Sequence, residues 1–149
     1  MAQSLSQIYV HIIFHVREHT IKREHLDALW RYIAGIARGM KSYVVTVGGE
    51  TDHVHILCTL PRDITVADFM ERIKRESSKW LKIEFNTYNT FSWQRGYGIF
   101  SVSQSKCDIV KDYIDNQFEH HKQVSFKEEY ERWLKTYCVQ YSEEFLWTD

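Results

Sequence analysis

Residues 8–17 read Ile8-Tyr9-Val10-His11-Ile12-Ile13-Phe14-His15-Val16-Arg17. Every second side chain from Ile8 to Val16 is apolar, whereas the intervening set of Tyr9, His11, Ile13, His15 and Arg17 is mixed, so this is a strand with one wholly apolar face. That face needs cover, and the chain supplies it in order. From Arg23 to Met40 the spacing of Leu26, Leu29, Trp30, Ile33, Ile36 and Ala37 is helical. Residues 42–47 and 53–60 are β-rich runs separated by Gly48-Gly49-Glu50-Thr51-Asp52, which predicts a hairpin. Thr65 reads as the N-cap of a second helix to about Phe85, with Val66, Phe69, Met70, Ile73, Trp80 and Leu81 as its inward stripe. An aromatic and polar loop leads to a short strand at 97–103, a helix over 106–121 and another over 126–137.

The order β-α-β-β-α-β is that of a ferredoxin-like or RRM-like antiparallel sheet, an α+β fold, with the C-terminal helices left for the second face. If the two early helices cover Ile8, Val10, Ile12, Val54, Ile56, Cys58 and Leu60, the opposite face carries His11, His15, His53 and His55. With 149 residues, 44% hydrophobic residues and one proline, a single domain over 1–149 is expected and disorder is excluded. The apolar run at 8–14 is broken by His11 and has neither a basic lead nor a small-residue cleavage site, which argues against a signal peptide or a membrane span. Cys58, Cys107 and Cys138 form no CxxC pair, so a reducing, cytoplasmic setting is expected. The formal net charge is -1, but residues 1–82 carry twelve Lys/Arg against nine Asp/Glu and residues 83–149 carry seven against eleven. A polyanion would therefore meet the first part of the chain preferentially.

Within Asp52-His53-Val54-His55-Ile56-Leu57, the histidines at i and i+2 lie on one side of a strand and can share a metal ion. Hydrogen-bonded strand histidines explain the same spacing. On the helix at 106–121, Val110, Tyr113, Ile114, Gln117, Phe118 and His121 form one stripe, in which Gln117 interrupts an apolar face. A buried amide left without partners costs about 1–3 kcal/mol, so Gln117 asks for a partner, and a metal ion is one. Tyr113 sits one turn earlier on the same side, either as a core aromatic or as a phenol aimed at whatever Gln117 holds.

His53-Val54-His55 followed by Tyr113-Ile114-Asp115-Asn116-Gln117 resembles the HUH single-tyrosine transposases of small bacterial insertion sequences, the TnpA-like group. The likeness extends through Trp93-Gln94-Arg95-Gly96-Tyr97-Gly98-Ile99-Phe100-Ser101-Val102-Ser103 and covers nearly the whole chain. It implies that His53, His55 and Gln117 bind one divalent cation and that Tyr113 is the nucleophile that cuts single-stranded DNA, leaving a 5′-phosphotyrosine and a free 3′-OH. The chemistry is consistent: a phenol with pKa about 10 is a weak nucleophile at neutral pH unless its proton is removed and the phosphate charge is neutralised. Imidazoles suit zinc, iron or nickel, while phosphoryl chemistry generally uses oxygen-preferring ions, and the resemblance implies magnesium or manganese.

For DNA, Arg72, Arg75, Lys79 and Lys82 follow i, i+3, i+7 and i+10 on the second long helix and would form a cationic ridge, or a solvated face paired with Glu71 and Glu76. The loop from Tyr88 through Trp93 and Arg95 to Tyr97 has the composition of a stacking platform or of a core-anchored loop. The resemblance implies hairpin-bearing single-stranded DNA as partner, and a homodimer in which the tyrosine helix of one chain completes the histidine site of the other. The connection from Val102 to Asp108 contains no glycine hinge for such an exchange. Two other functions remain at this stage: a non-catalytic RRM-like single-strand binder using Tyr9 and the aromatic loop, and a metal-dependent phosphodiesterase that uses water.

Overall fold

The computed structural model describes residues 2–120 and 124–147. Strand β1 (Tyr9–Glu18) is central, and helix α1 (Arg23–Gly39) leads to the hairpin of β2 (Val44–Glu50) and β3 (His53–Thr59). Helix α2 (Val66–Glu84) follows, capped by Thr65, whose side chain accepts from the Asp68 amide at 3.1 Å. Two short strands, β4 (Ser92–Trp93) and β5 (Gly98–Ser101), both pair with β1, giving an antiparallel sheet of order β2-β3-β1 with β4 and β5 along the far side of β1. A 3-10 turn at Gln104–Lys106 leads into α3 (Cys107–Asp115), α4 (Gln117–His120), α5 (Phe126–Thr136) and α6 (Glu143–Leu146). The α+β sheet and its element order are those the periodicity implies. Among the described residues no helix is long and apolar enough to cross a membrane.

The β1–β3 register pairs Ile13 with His55 and His15 with His53, so the period of two sorts the sheet into distinct faces. On the first face Val10, Ile12, Phe14, Val54, Ile56 and Cys58 pack beneath Leu29 and Ile33 of α1 and Phe69, Met70 and Ile73 of α2. Ile8, expected on this face, is exposed just ahead of β1. The second face is covered too. Leu57 packs against Cys107, Val110 and Ile114 of α3, and Ile13 against Phe126, Tyr130 and Leu134 of α5. The histidine face is therefore an interior layer, and an RRM-like stacking surface on it is covered.

Three local expectations change. The hairpin is tighter than the run at 48–52 suggests, because β2 continues through both glycines and the turn is reduced to Thr51 and Asp52. Glycine is required there: Gly49 has φ +149, and a Cβ on Gly48 would stand 2.8 Å from the Ile114 carbonyl oxygen. The helix expected over 106–121 breaks at Asn116 (φ -103, ψ 21), whose side-chain amide donates to the Asp112 carbonyl at 2.7 Å; His121 lies outside the described residues. The loop aromatics turn inward. Trp93 is 7% exposed, lies edge-on to Phe14 and Phe91, and donates its Nε1 hydrogen to Ser77 Oγ at 3.0 Å. Of the two readings the loop composition allows, Trp93 takes that of a core anchor, because β4 folds the loop back onto β1.

Gly48→Ala should force α3 off the sheet and cost about 1–3 kcal/mol in chemical denaturation. Gly35→Ala, on α1 with nothing within 4 Å of the new methyl, should instead stabilise by about 0.5–1 kcal/mol.

Candidate active site

Strand alternation places the rings of His53 and His55 on the covered face, where both are fully buried. Asp52, in the hairpin turn, accepts from His53 Nδ1 at 2.7 Å. In that bond Nδ1 carries the hydrogen, which orients the ring with Nε2 inward. His53 Nε2 in turn faces the carbonyl oxygen Oε1 of Gln117 at 2.8 Å. Gln117 is held in this orientation by its other amide atom, Nε2, which donates to the Tyr113 carbonyl at 3.3 Å. Buried polar atoms this close are satisfied by a shared proton or a shared metal ion.

A fourth group converges on the same point from α5. Ser125 caps this helix by accepting from the Glu128 amide, and the first turn carries Glu129 inward between Phe126 and Tyr130. Glu129 is 1% exposed; its Oε1 lies 2.6 Å from His55 Nε2 and 3.5 Å from His53 Nε2. His53, His55 and Glu129 thus offer ligand atoms within 4.8 Å of one another, a cluster able to hold a divalent cation. The spacings of 2.6–3.5 Å suit neighbouring donors around one octahedral ion, which at bond lengths of about 2.0–2.1 Å stand about 3 Å apart.

Tyr113 of α3 is half-buried, edge-on to Trp133, and its hydroxyl donates to Glu129 Oε2. Glu129 therefore bridges phenol and histidines, with one oxygen for each. Burial, then the neighbouring carboxylate of Glu129, raise the phenol's pKa well above its ordinary value. Behind His55 a further chain runs outward: His55 Nδ1 shares a hydrogen bond with His11 Nε2 at 2.9 Å, and His11 Nδ1 meets the Tyr137 hydroxyl at 3.1 Å. His11 is fully buried, and desolvation, then the proximity of His55, hold its pKa well below 6.5 against the raising effect of Glu129.

The structure thus brings His53, His55, Gln117 and Tyr113 together within one chain. Glu129 is the functional candidate that reading the sequence missed. Its signal was the one that singled out Gln117: Glu129 interrupts the helical stripe of Phe126, Tyr130, Trp133, Leu134 and Tyr137. Arg72, Arg75, Lys79 and Lys82 are exposed on α2, which packs on the other face of the sheet, so the sheet separates them from this cluster. Arg75 is paired with Glu71 at 2.5 Å and Glu76 at 3.5 Å. Arg95 is exposed in a loop whose carbonyls at Gln94, Arg95 and Gly96 all accept from Lys74 Nζ, at 2.5–3.0 Å.

The profile of IS200-like transposases matches residues 4–117, a span that includes β1, the histidine pair, the tyrosine and Gln117. The chain belongs to the IS200-like transposase family. It is 34% identical over 76 residues to the transposases for insertion sequence element IS200 of Salmonella typhimurium and Salmonella typhi, an alignment covering 48% of this chain and 49% of each of those proteins. The chain thus spans about half the length of these curated relatives. The fold is similar to that of a Deinococcus radiodurans R1 protein described as a transposase, with a TM-score of 0.57, 20% identity, and coverage of 78% of this chain and 98% of that one. It is likewise similar to a REP-associated tyrosine transposase solved bound to a REP hairpin, with a TM-score of 0.59, 15% identity, and coverage of 83% of this chain and 74% of that one.

The neutral, buried His11 makes stability depend on pH. With its pKa lowered in the folded state, the unfolded chain takes up the proton first. In metal-free buffer with EDTA the stability is full above about 6.5 and falls as pH drops below it. Denaturant midpoints measured between pH 7.5 and 5 should fall steeply, and less steeply for His11→Gln.

Proposed function

We propose that this family member cuts and rejoins hairpin-bearing single-stranded DNA through a covalent bond to Tyr113. The observation that carries this reading is the Tyr113–Glu129–His53/His55 cluster, in which a phenol and a set of metal-type donors meet in one buried site. His53, His55 and Gln117 would hold a divalent cation, with Glu129 Oε1 as a further donor, and the convergence of His53, His55 and Glu129 ligand atoms within 4.8 Å of one another fits that role. Magnesium or manganese is the reading that suits the oxygen donors. Such an ion, when bound, polarises the phosphoryl group and offsets its negative charge.

The chain's own residues supply the rest. Glu129 Oε2, already the acceptor of the Tyr113 hydroxyl, takes the phenol proton as the phenolic oxygen bonds to phosphorus. The P–O3′ bond breaks, and its electron pair leaves on a 3′-oxygen that is protonated from water. One phosphodiester replaces another, so the reverse attack by a 3′-OH rejoins strands without a nucleoside triphosphate. Asp52 keeps His53 in the tautomer that points its lone pair inward, and His11 does the corresponding service for His55.

The exposed cations Arg72, Lys79 and Lys82, with Arg75 once its acidic partners yield, would track the phosphates of a DNA stem, and Arg95 those of the flanking single strand. Association into a homodimer belongs to this reading, with each protomer holding tyrosine and histidines of its own. So does work on DNA in the cytoplasm by one domain spanning residues 1–149.

Incubating the protein with labelled hairpin-bearing single strands and manganese should give a denaturation-resistant adduct that is absent with EDTA and absent in Tyr113→Phe. An adduct that persists in that variant would show the nucleophile to be misassigned, and strand cleavage without any adduct would favour the water-using phosphodiesterase. Glu129→Gln should slow adduct formation at neutral pH by about 100-fold or more, the scale of a lost general base, with partial recovery as pH rises. Unchanged or faster cleavage by Glu129→Gln would mean that this carboxylate only fills the site.

A further inference from the structure

Gln117 has two outlooks. Its carbonyl faces His53, and it also lines a groove of about 490 Å3 between α1, the edge strand β2 and the end of α3. The volume falls within the range of small-ligand pockets, about 300–1,000 Å3. Arg23, Asp27 and Trp30 of α1 form one wall, and Asp115 and Phe118 stand opposite. Anything seated here meets Gln117, one of the residues that would hold the cation in the reading above.

The walls are those of a stacking site. Phe118 is 46% exposed, a large ring turned outward on a short helix, and the Arg23 guanidinium lies 4.6 Å from its centroid. The guanidinium is itself anchored by Glu50 at 3.0 Å, so its position over the ring is fixed. Planar heteroaromatic groups stack on such aromatic and guanidinium surfaces.

Charge then selects what enters. Arg23 is balanced by Glu50 and Asp115 by Lys111, so the Asp27 carboxylate is what leaves the groove negative. Asp115 stays partly neutralised, accepting from Thr46 at 2.5 Å and pairing with Lys111 at 2.6 Å, whereas Asp27 sits exposed on α1. A negative groove repels a phosphate and welcomes hydrogen-bond donors. Exocyclic amino groups of adenine, cytosine or guanine are such donors. Thymine offers only carbonyl oxygens and one ring N–H.

We propose that this groove is a base-binding subsite that seats a nucleobase beside Gln117, against the Arg23–Phe118 stack, and prefers bases with an exocyclic amino group to thymine. The assignment rests on the DNA-cleaving reading for its substrate, but its test does not need cleavage.

Fluorescein-labelled dA5, dC5, dT5 and an abasic pentamer are titrated against the full chain by anisotropy, in EDTA at fixed low salt. The dA5 and dC5 strands should bind at least about fivefold more tightly than the abasic strand, the lower end of what one base–aromatic stack is worth, and more tightly than dT5. Phe118→Ala, at an exposed position, should erase the advantage over the abasic strand. Asp27→Asn should narrow the gap between dC5 and dT5. A 5-iodocytosine pentamer irradiated in the complex should crosslink to the peptide carrying Trp30 or Phe118. The proposal fails if Phe118→Ala keeps the base preference, if dT5 binds as well as dC5, or if the crosslink maps elsewhere. Base preference without any Tyr113 adduct would sink the nucleophile and spare the groove; an adduct without base preference would do the reverse.

Discussion

His53 Nε2 and the side-chain carbonyl of Gln117 meet 2.8 Å apart inside this protein, away from water. Polar groups buried together are costly unless each finds its partner, and a buried carboxylate, Glu129, within hydrogen-bond reach of the second histidine adds to the demand for positive charge. The rest of the molecule sustains this arrangement. Asp52 fixes one imidazole from the turn, His11 fixes the other from the neighbouring strand, and two helices close over both. A polar centre held this rigidly is suited to gripping a cation and presenting a phenol to it in the same instant.

The fold makes the meeting possible by giving the sheet two covered faces. The face under α1 and α2 is apolar and supplies stability, while the face under α3 and α5 alternates apolar anchors, Leu57 and Ile13, with His55 and His53. The side-chain period of two lets one strand serve both purposes. Close approach of α3 depends on Gly48, because any side chain there meets the Ile114 backbone and displaces the helix that carries Tyr113. The cationic face of α2 lies across the sheet, so phosphate tracking and bond cleavage occupy opposite sides of the molecule in the proposed reading.

Much of this was legible in the sequence where periodicity is local. Alternation in residues 8–17 and the helical spacing of Leu26, Leu29 and Ile33 located the sheet and its first cover, while the i, i+2 spacing of His53 and His55 and the interruption of an apolar stripe by Gln117, one turn after Tyr113, marked the candidate site. Glu129 did not stand out, because it lies in the charged run Lys127-Glu128-Glu129, which reads as a solvated helix start until the packing of Phe126 and Tyr130 shows which way it faces. The two readings of Trp93 could not be separated for the opposite reason. A two-residue strand, too short to leave a periodic signal, folds its loop onto the core. The break at Asn116 depends on one side chain's hydrogen bond and leaves the stripe before it intact.

Whether phenol and histidines of one chain form the working unit is tested most directly by mixing. Purified His53→Ala and Tyr113→Phe proteins, each inactive alone, are combined in excess manganese with labelled hairpin DNA, and covalent adduct is measured against the unmodified protein. The account predicts that the mixture stays inactive, because each chain's tyrosine serves the histidines folded beside it. Recovery of adduct in the mixture would contradict it, since the nucleophile would then be reaching the metal site of another chain.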